Sequence, residues 1–296
     1  MKPTQFDYHR PETVEEALEL ADEHPEAELL AGNQSLGIIM ANRLATPDDL
    51  IDVNRLDDLD YVEITDGAVE VGALTRHRTL ERHDELRGVL ELLPEAAEQI
   101  AGPAVRNRGT MGGSVAEADP AGNYPAVLAA MDGELRLASV DGERTVGAGD
   151  YFVAYMFTDL AENELITGVR IDREPFPVDR TGSAFVELKR GAQTWPTVSA
   201  ASAVRVDDPD AEEPVVEEAR LALGNADQIP LRVADAESAV EGEPLSAATL
   251  AEAAAAVREA ADPQEEMHAD REYKVEVAGE YARRSLRRSY ERAAGD

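Results

Sequence analysis

Two glycine-bearing turns, each ahead of an apolar helical stretch, constrain the fold of this chain more than any other feature. In the first, Leu29-Leu-Ala-Gly-Asn-Gln-Ser-Leu36, a short apolar strand (Leu29, Leu30, Ala31) runs straight into Gly32, Asn33, Gln34 and a helix start at Ser35 and Leu36. Successive backbone N–H groups in such a turn can converge on an anionic oxygen. Gly32 permits close backbone approach, and Gln34 and Ser35 add side-chain donors. Taken alone, the segment reads as an ordinary strand-to-helix turn. The second, Arg106-Asn-Arg-Gly-Thr-Met-Gly-Gly-Ser114, brackets Gly112 and Gly113 with the hydroxyls of Thr110 and Ser114. It reads either as a loop or as another anion nest, and two nests suit a pyrophosphate gripped from both sides.

The surrounding pattern alternates helix and strand. Thr13-Val-Glu-Glu16 has capping-box spacing, and Val14, Ala17, Leu18 and Ala21 follow at helical intervals, so a first helix ends before Pro25. A second helix is expected from Ser35 towards Leu44, a strand over 50–53, and a hairpin turning at Asp66-Gly67 between Val62 and Val71. Helical material over 79–88 and 94–100 precedes a polar loop from Gly102 to Gly113. Beyond it come a helix from Tyr124 to Met131, strands over 135–138 and 143–146 joined at Asp141-Gly142, and a strand over 164–171. Pro175 and Pro177 mark the expected domain boundary. Past it lie strands over 184–188, 197–206 and 215–223 and helices over 246–261 and 272–293. The last helix places Tyr273, Val277, Tyr281, Leu286 and Tyr290 on its less polar side, and the acidic run 207–213 reads as a solvated hairpin loop.

Composition removes whole classes of function. Acidic residues number 61 against 28 basic ones, a formal charge of −33, so nucleic acid would be repelled. With no cysteine, the chain can hold neither a disulfide nor, by itself, an iron–sulfur cluster. No apolar run approaches the ~20 residues of a membrane span, and the first residues lack an export signal, which predicts a cytoplasmic protein. The Rossmann, P-loop, H-E-x-x-H and G-x-S-x-G signatures are absent. His77 and His83 read as surface residues, and neither a metal nor a catalytic residue is assigned. Only Lys2, Lys189 and Lys274 are lysines, a composition that reads as adaptation to high salt, with an unusually acidic ordinary protein as the other possibility.

The two turns, with Phe6-Asp-Tyr-His-Arg-Pro11, Leu50-Ile-Asp-Val-Asn-Arg55, Val105 to Pro120 and Ala219-Arg-Leu-Ala-Leu-Gly224, resemble the FAD-binding medium subunit of the molybdenum hydroxylases over essentially the whole chain. That family includes aerobic carbon monoxide dehydrogenase and xanthine dehydrogenase. The resemblance implies an α+β fold: an FAD-binding domain of p-cresol methylhydroxylase type over 1–176, in two α+β subdomains (about 1–57 and 58–176), then a small α+β flavoprotein C-terminal domain over 177–296. It implies FAD contacts from Leu29, Leu30, Ala31, Gly32, Asn33, Gln34, Ser35 and Leu36, and from Thr110, Met111, Gly112, Gly113 and Ser114. Ile100, Leu165, Ile166, Lys189 and Trp195 are implied as further contacts. Asn123 stands where many relatives carry aspartate.

By the same likeness the chain is a flavin relay. Electrons would come from a molybdenum-cofactor large subunit through an iron–sulfur small subunit and leave from FAD, and the likeness implies a dimer of such heterotrimers. A fold that has lost flavin and serves as a scaffold, and a stand-alone FAD oxidoreductase, are the alternatives. Arg106 and Arg108 are read equally as docking or structural residues. The charge makes one direct prediction. Surface repulsion should relax as the Debye length shrinks from ~10 Å at 0.1 M to ~3 Å at 1 M salt. The melting temperature should therefore rise into molar KCl, and a flat dependence would remove the case for salt adaptation.

Overall fold

The computed structural model describes residues 2–295. The N-terminal unit is β1 (Asp7–His9), α1 (Val14–Glu23), β2 (Glu28–Leu30), α2 (Leu36–Ala41) and β3 (Asp49–Asp52). Its sheet is ordered β1-β3-β2 with both pairings parallel. Thr13 caps α1, its hydroxyl accepting from Glu16 N–H at 3.2 Å, while the Glu16 carboxylate reaches back to Glu12 N–H at 2.7 Å, one residue short of the reciprocal box. Ala17 and Ala21 bury against Ile51, Val53 and Leu56.

The middle unit begins with β4 (Val62–Ile64) and β5 (Ala68–Gly72), followed by α3 (His77–Glu81), α4 (Asp84–Val89), α5 (Leu92–Gln99), α6 (Pro103–Arg106), α7 (Met111–Glu117) and α8 (Asn123–Ala130). Then come β6 (Glu134–Ser139), β7 (Gly142–Gly147), α9 (Ala148–Tyr151), the short hairpin β8 (Phe152–Ala154) and β9 (Phe157–Thr158), and β10 (Leu165–Asp172). The antiparallel sheet runs β4-β5-β10-β6-β7. The second helix is shorter than its apolar pattern predicts, and the expected polar loop from 102 to 113 instead contains α6 and the start of α7.

The C-terminal unit is β11 (Thr181–Lys189), β12 (Pro196–Val206), β13 (Val216–Gly224), β14 (Leu231–Arg232), α10 (Ala234–Ser238), α11 (Ala247–Ala260) and α12 (Arg271–Ala293), with the four strands antiparallel in chain order. Alternation along β12 sends Val198, Ala200, Val204 and Val206 into the core beneath the C-terminal helices. Ala201 and Ala203 point the other way, into the core of the middle unit. Helix α8, buried on every side, fills the space between the two sheets. Of the side expected to face inward on α12, Leu286 is buried and Val277, Tyr281 and Tyr290 pack partly buried against the core, but Tyr273 is exposed. Small residues (Ala278, Ala282, Ser285, Ser289) complete the buried stripe and seat the helix on the sheet. Ser202 Oγ lies 2.7 Å from both Ser285 Oγ and Ser289 Oγ, so close approach of helix and strand is coupled to hydrogen bonding.

One buried carboxylate ties the units together. Glu95 of α5 accepts from Phe185 N–H at 2.9 Å, from Arg288 at 2.5 Å and from Arg292 at 2.7 Å. Removing it strands a backbone donor and the half-buried Arg292 guanidinium. Glu95→Ala should therefore lower unfolding free energy by about 3 kcal/mol in denaturant melts. Glu95→Gln, which keeps an acceptor, should cost less. Equal, negligible effects would show that the clamp does not hold the units together.

Candidate functional site

The strands of the parallel sheet end together, and the first glycine turn leaves from that end at Leu30. Asn33 takes a left-handed conformation (φ +58°), and Gln34 Nε2 donates to Gly32 O at 2.7 Å, so the Gln34 side chain braces the turn that it was expected to extend. Ser35 makes no side-chain cap. Its hydroxyl faces Glu117, whose carboxyl is pushed up by burial, an effect that the Ser35 contact opposes. Among the described residues, the backbone N–H groups of Gly32, Asn33, Gln34, Ser35 and Leu36 have no acceptor within the chain. Five successive unpaired donors, with Gly32 itself buried, make a concentrated electropositive edge.

The second turn departs from the nest expected of it. Thr110 is the N-cap of α7, its hydroxyl accepting from Gly113 N–H at 3.1 Å, and Met111 to Ser114 form the first helical turn. Met111 N–H donates to Thr75 O at 3.0 Å, Gly112 N–H to Ala73 O at 2.8 Å and Ser114 N–H to Thr110 O at 3.1 Å. These donors are occupied. What the glycines supply is room: a Cβ on Gly112 would stand 2.7 Å from Ala73 Cβ, and one on Gly113 would crowd the Thr110 hydroxyl at 2.8 Å.

The two turns touch. A Cβ on Gly32 would lie 2.6 Å from both Arg108 O and Gly109 Cα, and Gly113 looks onto Ala31. Arg76 clasps the junction, donating to Arg108 O at 2.7 Å and to Asn54 Oδ1 at 2.9 Å, while Asn54 Nδ2 donates to Ala31 O at 2.6 Å. Asn54 lies within a segment that the family likeness already marked, but Arg76 carried no signal in the sequence. Beneath the junction His77 is buried, not superficial. Its Nδ1 is 3.0 Å from Tyr124 Oη, and burial, then Arg76 and Arg106, push its pKa down to about 3. The ring is therefore a neutral packing and hydrogen-bonding element. Arg106 is structural here, donating to Glu81 at 2.9 Å and to Ile100 O at 2.9 Å.

The remaining candidates form two further groups. Leu165 and Ile166 are buried at the start of β10, against which α7 packs. Around the end of α5, Asn123 donates to Ala96 O at 2.9 Å, Lys189 donates to Gln99 O next to Ile100, and Lys189 Nζ pairs with the buried Glu187 carboxylate at 2.5 Å. Burial pushes Glu187 up and Lys189 opposes it. Trp195 stands apart from both groups. It is exposed in a cleft of about 470 Å³ that it shares with Asp119, Pro120, Tyr155, Asn225 and His268. Pro120 connects this cleft to the end of α7, and Asn225 N–H donates to Pro120 O at 2.7 Å.

Residues 4–173 match the FAD binding domain in molybdopterin dehydrogenase, and residues 183–289 match the CO dehydrogenase flavoprotein C-terminal domain. The chain belongs to the FAD-binding subunits of the molybdenum hydroxylases. It is 34% identical to the carbon monoxide dehydrogenase medium chain of Hydrogenophaga pseudoflava, over 99% of this chain and all of that one. It is also 34% identical to the 6-hydroxypseudooxynicotine dehydrogenase complex subunit alpha of Paenarthrobacter nicotinovorans, over 99% of this chain and 97% of the relative. Its structure aligns with a carbon monoxide dehydrogenase from H. pseudoflava lacking the Mo-pyranopterin moiety, with a TM-score of 0.92 and 35% identity over 99% of both chains. The chain is thus an oxidoreductase subunit of the family, and its cofactor is FAD.

The junction of the turns suits that cofactor, because Gly32 lets two backbones meet where a side chain would strike, and the unpaired N–H run beside the contact offers donors to an anion. Gly32→Val should drive the turns apart and reduce flavin occupancy at least roughly tenfold, about 1.4 kcal/mol in binding, with far-UV circular dichroism retained. Full flavin content in that variant would show that the contact between the turns is not what holds the cofactor.

Proposed function

We propose that this chain holds one FAD across the Gly32 and Gly113 turns and is the electron-transfer subunit of a molybdenum hydroxylase complex. It would take electrons from the iron–sulfur clusters of a small partner subunit, fed by a molybdenum-cofactor large subunit, and pass them to an external acceptor. The observation that carries the reading is the run of five unpaired N–H groups from Gly32 to Leu36 packed against the second turn. FAD, when bound, supplies a carrier that accepts electrons singly and releases a pair.

The residues of this chain then divide the work. Gly32 to Leu36 donate to the pyrophosphate. Thr110 to Ser114 shape the opposite wall, contributing space more than donors because their N–H groups are spent within the fold. Leu165 and Ile166 offer backbone and an apolar surface beside α7. Ile100, Asn123 and Lys189 would hold one part of the cofactor, and Trp195, exposed in its separate cleft, would offer an aromatic face. Asn123 stands where many relatives carry aspartate, and its amide donates to Ala96 O, fixing α8 to α5 by a bond that a carboxylate could not donate. No side chain in this set is asked to act as acid, base or nucleophile.

The domain assignment (1–176, divided near 57, and 177–296) belongs to the same reading, as do a cytoplasmic location and a dimer of heterotrimers. Among the described residues, no helix is long and apolar enough to cross a membrane. The relatives' names include carbon monoxide, glyceraldehyde, caffeine and xanthine dehydrogenases at comparable coverage, so substrate choice would rest with the large subunit.

The purified chain should carry stoichiometric FAD and no FMN, contain neither iron nor molybdenum, and be bleached by dithionite. Substrate of the assembled complex should bleach it only when both partner subunits are present under anaerobic conditions. Bleaching by substrate with this chain alone would favour a self-sufficient flavoenzyme, and absence of any flavin would favour a scaffold.

A further inference from the structure

On one face of the parallel sheet, three side chains from three separate segments converge. His9 Nε2 lies 2.7 Å from Asp49 Oδ1, His24 Nδ1 lies 3.4 Å from Asp49 Oδ2, and the two imidazole rings are 4.6 Å apart. One nitrogen of each histidine and a carboxylate oxygen of Asp49 all lie within 4.8 Å of one another. We propose that His9, His24 and Asp49 form a binding site for a divalent transition-metal ion of the zinc class, distinct from the flavin site.

The fold presents these ligands from fixed elements. The parallel register sets His9 opposite Ile51 and Asp7 opposite Asp49, so strand alternation places His9 and Asp49 on the face that carries Ile51. Ala17 and Ala21 of α1 pack against Ile51 on that face. His24 is the residue that closes α1, its N–H bonded to Leu20 O, and its carbonyl accepts from Ala27 N–H at 2.9 Å. The helix therefore delivers its terminal imidazole above the strands, and all three side chains remain about a quarter to a third exposed, open to an entering ion.

Ligand type and spacing both favour zinc-class ions. Two imidazoles and one carboxylate suit zinc, cobalt, nickel or copper, whereas calcium and magnesium prefer oxygen-rich sets. Bonds of about 2.1 Å in a tetrahedron separate ligand atoms by about 3.4 Å. His24 and Asp49 already stand at that separation, and His9 needs only to exchange its hydrogen bond for the ion. Three protein ligands leave a position for water. A bound ion would pin β1 and the end of α1 to β3, stiffening the sheet from which the Gly32 turn leaves.

The test uses the full, flavin-loaded chain, stripped of metal by chelator and held in about 1 M KCl so that diffuse binding to surface carboxylates is screened. Calorimetric titration with Zn²⁺ should give one site of micromolar or tighter affinity. His24→Gln and Asp49→Asn should each weaken it at least tenfold, while Asp208→Asn, in the exposed acidic loop, leaves it unchanged. Flavin content and circular dichroism report whether each variant is folded. Cu²⁺ electron paramagnetic resonance on the unaltered chain needs no variant and should show superhyperfine coupling to two imidazole nitrogens. Loss of flavin in these experiments would bear on the cofactor site, not on this one. Zn²⁺ binding indifferent to His24→Gln and Asp49→Asn, or a Cu²⁺ spectrum without nitrogen coupling, would reduce the cluster to a plain ion pair and overturn the proposal.

Discussion

The contact on which the site depends is the packing of Gly32 directly against the backbone of Arg108 and Gly109. Two segments far apart in sequence come so close that residue 32 can carry no side chain, and the Arg76 guanidinium then bridges the exit of β3 to the second turn through Asn54 and Arg108 O. An arginine suits this position because its planar fork can donate to two differently placed oxygens at once. The interlock orients the N-terminal parallel sheet against the middle unit, and the seam between them is the cofactor cradle we propose.

The seam is asymmetric. Its N-terminal side offers unpaired backbone donors, while its other side is a capped helix whose first N–H groups are already bonded to Ala73, Thr75 and Thr110. Recognition of an anion can come chiefly from one wall while the other supplies shape, and glycine serves each wall for a different reason. Gly32 allows two backbones to meet, whereas Gly112 and Gly113 let α7 lie tightly against the end of β5 and beneath the first turn. Behind α7, a neutral His77 paired with Tyr124 keeps the interior free of charge. Glu95, gripped by Arg288 and Arg292, carries the same rigidity to the C-terminal sheet.

The arrangement also accounts for the division of redox labour. A chain without cysteine can offer no thiolates to a cluster, so in the electron relay we propose its part would be to bind and orient an organic cofactor. Three of its carboxyls beside the candidate residues, Glu117 facing Ser35, Asp119 in the Trp195 cleft and Glu187 beside Lys189, are pushed up by burial, which favours their uncharged forms and would ease the approach of an anion.

Much of this was legible in the amino-acid sequence because it is local. Period-two alternation and turn residues such as Asp66-Gly67 and Asp141-Gly142 marked the hairpins, the Thr13 cap marked α1, and ordered glycine motifs marked the family and its cofactor. Local pattern misjudged residues whose environment comes from distant segments. His77 sits in a polar stretch yet is roofed by Gly109 and Tyr124. Small residues of α12 bury because the sheet approaches closely, while its aromatic Tyr273 stays in water. The Thr110 turn became helix because Ala73 and Thr75 accept its first N–H groups, partners that no sequence window contains. The same holds for the Arg76 clasp and for the meeting of His9, His24 and Asp49. Short-range pattern marked most of the elements, and the resemblance carried by the ordered motifs implied the fold class and the cofactor. Only tertiary structure decided which polar groups remain unpaired, because a donor is spent or free according to what packs against it.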